Sequence, residues 1–205
     1  MATKTSATFF AVGALLFSLC GQVAMNSTEP SRKLDMTQEE VRAFLRSKMK
    51  TMTEIKRADL ALKLSQLCDR TGFNMAFILS VIEHESQFRP AVRSNRGAVG
   101  LMQLQPTTAN FVAPMAGIHQ KISARDLENP ILNLTLGIHY LAHLKARFGD
   151  SSYVLGAYNM GPAKAHSLGL RTKGLAQFSK VRAYVVGIHA GENKIRVEGR
   201  KLAAI

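Results

Sequence analysis

The sequence has two cysteines, and only Cys68 lies beyond the apolar stretch at the start of the chain. A chain cut after Cys20 therefore has no internal disulfide, even in an oxidising compartment. Cys68 shares a helical face with Leu60, Leu64 and Leu67, the setting of a buried structural thiol. Long hydrophobic runs are also missing: charges interrupt every later apolar segment before it reaches membrane-spanning length. Internal repeats and convincing strand pairs are absent, which leaves a mainly α domain of ordinary size. Carboxylates are scarce, with 14 Asp and Glu against 27 Lys and Arg, and residues 86–125 contain none.

What is present begins with Lys4 and the uncharged run ATFFAVGALLFSLC at residues 7–20. This pattern predicts a signal peptide over residues 1–24, cleaved between Cys20 and Ala24, and hence an exported protein. An uncleaved anchor is the alternative, although the run is short for a bilayer, and only then would the mature chain hold a membrane. A lipid-modified Cys20 is a third reading, disfavoured by Leu19 where a small residue belongs. For an exported chain of net charge +13, nucleic acid is excluded as the first partner. An anionic wall polymer or membrane surface fits the basic field, although the same charge also serves solubility.

Residues 26–36 are polar and read as a linker. Thr37 and Glu40 form a capping-box pattern that starts a charged helix to about Met52. Thr53 starts a second helix to about Arg70, stopped by Thr71-Gly72, and Asn74 is placed to cap the next, MAFILSVIEHES. Residues 88–100, with one Pro and two Gly, read as a loop or irregular hairpin. Further helices are predicted from Pro106, from Asn129-Pro130 to about Arg147, from Ser151 or Ser152 to Gly161-Pro162, and over 175–189. From Gly191 the basic tail reads as frayed or solvated.

The run VIEHES ends an apolar helix with Glu83, His84 and Glu85. At about 100° per residue, Ile78, Val81, Ile82 and Glu85 fall within one arc, whereas Glu83 points to the side of Ser80 and Ala76. A carboxyl on an apolar face has its pKa raised, as a general acid requires. The other reading leaves Glu85 just past the packed part, solvated or structural. No histidine follows at the zinc-protease spacing, and His139 with His143 makes two ligands without a third.

Glu85-Ser86, then SNRGAVGLMQLQPTTA (94–109), ENPILNLTLGIHYLAHL (128–144) and AYNMGP (157–162) follow one another in a fixed order. Together they resemble the catalytic domain of soluble-type lytic transglycosylases, lysozyme-like enzymes that cleave bacterial peptidoglycan, over roughly residues 58–190. The resemblance implies a lysozyme-like α domain, α+β at most, with a minimal hairpin near residues 88–104. It divides the remainder into a linker and N-terminal helical extension (25–57), the catalytic domain (58–190) and a basic C-terminal tail (191–205). It also implies Glu85 as the single catalytic acid. Ser94, Gln103, Tyr158 and Asn159 match residues lining the sugar cleft, Asn133 a supporting polar residue, and Tyr184 a late tyrosine facing the acid. Met102 and Tyr140 fit the pattern as packing or contact residues, and Gly97 and Gly100 as turn residues.

Two carboxyl groups normally divide the work of glycoside cleavage, but residues 86–125 offer no second one. Asp126, Glu128 and Asp150 each sit beside a predicted helix start, where capping is the ordinary role. The family's one-carboxylate route is thereby favoured: the substrate's N-acetyl group assists, and a 1,6-anhydro ring forms without water. No metal, cofactor or covalent enzyme intermediate is implied. The implied partner is the peptidoglycan glycan strand, met by a monomer in the periplasm or cell envelope of a bacterium. Twelve basic and five acidic residues between Thr71 and Ala190 suit its carboxylate-bearing peptide stems. A hydrolytic muramidase and a non-catalytic wall-binding protein remain as alternatives. A cell-envelope assembly partner and attack on competing bacteria are further possibilities for its context.

Overall fold

A computed structural model describes residues 35–205. The leader predicted over residues 1–24 lies outside the described residues. Nine α-helices carry nearly all of the regular structure there. The first is α1, Gln38–Lys48, opened by the predicted capping box: the Glu40 amide donates to Thr37 Oγ1 (3.2 Å) and the Thr37 amide to Glu40 Oε2 (2.8 Å). It ends four residues before the expected Met52. Downstream, the Arg57 guanidinium donates to the carbonyls of Met49 (3.0 Å) and Met52, which pulls that segment into a turn.

Helix α2, Glu54–Thr71, closes on Gly72 in the left-handed region at φ 67°. Helix α3, Met75–Ser86, is then buried at every residue from Met75 to Ile82. Asn74 occupies its N-cap without a side-chain bond. The carboxylate of Asp35 caps it instead, accepting from the amides of Met75 (2.7 Å) and Ala76 (3.3 Å). Asp35 and the buried Met36 thus belong to the fold and not to the linker read over 26–36.

After the irregular segment come α4, Pro106–Val112, and α5, Pro130–Phe148. The Asn129 side chain caps α5 by accepting from Ile131 (3.0 Å) and Leu132 (3.1 Å). Helices α6 (Ser151–Met160), α7 (Pro162–Ser167) and α8 (Leu170–Lys173) lead to α9, Ser179–Ala203. Helix α3 packs on α9, α9 also on α1 and α6, and α2 and α6 on α5. The hairpin region amounts to two isolated antiparallel bridges, Arg93 to Val99 and Val99 to Leu104.

The tail is a correction. Helix α9 does not fray after Gly191 but continues to Ala203, with Ile195 fully buried. The glycines that suggest a break are close-approach positions: a Cβ on Gly199 would collide with Met36 of the chain entering α1, and one on Gly191 with the Ser80 hydroxyl of α3. No helix among the described residues is long and apolar enough to cross a membrane.

Candidate functional site

Glu85 sits on the last turn of α3, where the helix emerges from the core. Because α3 is buried all round through Ile82, the single apolar arc does not separate the two glutamates. Their neighbours do. Glu83 pairs with Lys48 of α1 at 3.4 Å. Glu85 is half-buried and accepts a 2.6 Å hydrogen bond at Oε1 from the phenol of Tyr184 on α9. Burial raises its pKa above the ordinary carboxylate range, and the Tyr184 bond pulls part of the way back. No charged side chain enters that balance.

The chain leaves α3 through an unusual turn. Gln87 and Phe88 both hold positive φ, 52° and 60°, a conformation that costs non-glycine residues about 1–3 kcal/mol each. Phe88 is held there by burial, edge-on to Phe44 of α1 with ring centroids 5.5 Å apart. The end of the acid-bearing helix is thereby anchored to a residue of the N-terminal extension.

The following loop is organised by its own polar groups. Ser94 is exposed, and its Oγ accepts from the amides of Ala98 (3.1 Å) and Arg96 (3.3 Å). Gln103, also at positive φ (49°), donates its Nε2 to the carbonyls of Val92 and Gly100, both at 3.1 Å. Asn133, matched in sequence to a supporting polar residue, is fully buried in α5. Its Oδ1 accepts from Met102 (2.8 Å), and its Nδ2 donates to Val99 (2.8 Å) and Leu127 (2.9 Å). All of its bonds go to backbone, so it holds the loop and does not reach open surface. Gly100 fits against it at φ 85°, where any Cβ would overlap the Asn133 amide.

The Tyr158 hydroxyl donates to the Met102 carbonyl at 2.6 Å, tying α6 to the same loop. Its ring lies 5.4 Å from that of Tyr140, and Met102 is fully buried as a packing residue. Burial first, and the Glu85 charge second, push the hydroxyls of Tyr158 and Tyr184 well above the ordinary tyrosine range. Glu85, Tyr158 and Tyr184 therefore share one electrostatic neighbourhood. Asn159, the residue after Tyr158, is exposed.

The other carboxylates near these motifs are engaged elsewhere. Asp126 accepts from the Ser123 amide and hydroxyl, and Asp150 caps α6 through the Ser152 amide. Glu128, expected as a cap, pairs with Arg93 at 2.6 Å instead. His84, beside Glu85 at the helix end, stands edge-on to the Tyr184 ring with centroids 4.8 Å apart. Sequence offered no signal for that contact, which joins positions 100 apart in the chain. His139 bonds the Thr135 carbonyl and His143 stacks edge-on to Phe111.

Comparison with known proteins follows the same motifs. Residues 65–195 match the family profile described as the transglycosylase SLT domain. The soluble lytic murein transglycosylase of Escherichia coli K12 is 32% identical over 93 residues, covering 45% of this chain and 14% of that protein. A membrane-bound lytic murein transglycosylase F of Desulfosudis oleivorans is 35% identical over 105 residues, covering 48% and 21%. Among solved structures, an inactive glutamate-to-glutamine mutant of the lytic transglycosylase Slt from Pseudomonas aeruginosa superposes with a TM-score of 0.60 at 26% identity. That superposition covers 78% of this chain and 30% of the other. The chain thus spans a minor part of the length of each relative.

Proposed function

The chain belongs to the transglycosylase SLT domain family, and on that premise we propose that it cleaves the MurNAc–GlcNAc β-1,4 bond of peptidoglycan as a lytic transglycosylase. The observation that carries this reading is Glu85: one half-buried carboxyl with a raised pKa, a single tyrosine partner and no charged neighbour in its balance.

A raised pKa keeps the carboxyl protonated toward neutral pH, so it can donate to the leaving oxygen. Tyr184 occupies Oε1, which leaves Oε2 for the substrate. No second carboxylate among the described residues enters the balance at Glu85, so the developing positive charge at C1 falls to the substrate's own N-acetyl group, a recognised exception to the two-carboxylate scheme. The Glu85 carboxylate then takes the proton from the C6 hydroxyl, and the C6 oxygen closes on C1 to leave a 1,6-anhydro end. No step uses water or a covalent enzyme intermediate. Ser94, Gln103, Tyr158 and Asn159 are assigned to the cleft wall, Tyr184 to the orientation of the acid, and Asn133 to support of the loop. The catalytic part is assigned to residues 58–190 and the site of action to the bacterial cell envelope.

Mass spectrometry of products from purified peptidoglycan tests the chemistry. Anhydro ends support it, and reducing ends would establish a hydrolytic muramidase instead.

A further inference from the structure

A groove of about 750 Å³ lies between the turn joining α1 to α2 and the chain that leaves the acid helix. That is the size range of dedicated ligand pockets. One wall is Lys48–Thr53, held rigid by the Arg57 guanidinium on the Met49 and Met52 carbonyls. The opposite wall is Gln87–Val92, which starts two residues after Glu85 and ends at the carbonyl that Gln103 grips. Groove and candidate cleft therefore share this segment.

Four basic residues line the groove, Lys48, Lys50, Lys56 and Arg89, and no acidic residue does. Lys48 is committed to Glu83 and Glu198 at 3.4 and 3.2 Å. Lys50, Lys56 and Arg89 are exposed and have no carboxylate partner among the described residues, Arg89 donating its Nε to the Ser86 carbonyl at 3.0 Å. Between the charges the lining is mixed, with apolar Met52, Phe88 and Pro90 beside polar Thr51, Thr53 and Gln87. An occupant must carry carboxylates on a small, partly apolar frame. Residues 48–56 also precede the family-matched segment, so half of this groove comes from the chain's own extension.

We propose that the groove is a binding site for the carboxylate-bearing peptide stem of the glycan strand, engaged by Lys50, Lys56 and Arg89. This rests on the peptidoglycan reading above and extends it from the glycan to its stem. The site selects stem-bearing over stem-free strands and weakens with salt, as exposed charge pairs do.

The test uses the full chain and a Lys50→Glu/Lys56→Glu double variant, both positions lying away from Glu85 and its partners. Calorimetry with a free synthetic stem tetrapeptide should show binding to the parent chain and about tenfold weaker binding to the variant. On glycan strands, the parent should have a lower KM for stem-bearing than for amidase-stripped material. The variant should lose that preference with kcat on stripped strands unchanged. Absence of tetrapeptide binding to the parent, equal binding by both chains, or equal rate losses on both strands overturns the proposal. Tetrapeptide binding that depends on the two lysines without cleavage of either strand would sink the transglycosylase reading and leave the groove standing.

Discussion

The phenol of Tyr184 donates to Oε1 of Glu85 across 2.6 Å, joining residues 99 positions apart. The bond binds the acid to α9 and fixes which oxygen is left open. It also opposes burial in setting the acid's pKa, so both residues bear on when the site is charged.

Replacing Glu85→Gln should abolish clearing of purified cell walls, with a loss of at least about a hundredfold, since general acid catalysis is worth roughly 10²–10⁴. The same variant should be more stable than the parent at neutral pH. A folded-state pKa above the unfolded one means the native chain holds a proton that the unfolded chain releases. Stability from this group is complete below the unfolded pKa and lost as pH rises through the folded one. Glutamine has no such loss and still accepts from Tyr184. Thermal melts should show the gain at pH 7 and not at pH 4.

Tyr184→Phe removes the bond that lowers the Glu85 pKa, leaving burial unopposed. The falling alkaline limb of the rate profile, where the acid loses its proton, should move to higher pH. The rate at the optimum should fall roughly tenfold or more, the scale of one lost hydrogen bond to a charged group. A profile superimposable on the parent's would show that the phenol has no part in tuning the acid.

Asn133→Ala strands the Met102 amide and the Leu127 carbonyl inside the core, and leaves the Val99 carbonyl only its bond from the Leu104 amide. Each buried unpaired group costs about 1–3 kcal/mol, so urea unfolding should reveal a loss of at least about 2 kcal/mol. A direct sugar-contact role would instead raise KM with little change in stability.

Ile195→Ala probes the C-terminal helix. Ile195 is fully buried, and truncating such a residue costs about 2–5 kcal/mol. Denaturant titration of the variant would show no change if the segment after Gly191 were a solvated tail.

Local physics made much of this protein legible from its residues. Thr37, Thr53 and Asn129 mark helix starts because a side-chain oxygen meets amides two or three residues on, a relation wholly contained in the sequence. The motifs around Glu85, Gln103 and Tyr158 likewise identified the family. Contacts between distant segments stayed hidden. Asp35 caps a helix 40 residues later, His84 meets Tyr184, and Phe44 secures the turn at Phe88.

The glycines at 191 and 199 show the limit most plainly. In sequence a helical glycine weakens the helix, by up to about 1 kcal/mol. In the fold each removes a Cβ where another segment must pass, and α9 runs on through both. The separation of Glu83 from Glu85 has the same origin. Sequence determined that two glutamates end a buried helix. Only the tertiary structure set Lys48 against one and Tyr184 against the other, because charge and solvation at a side chain are decided by whichever segment packs beside it.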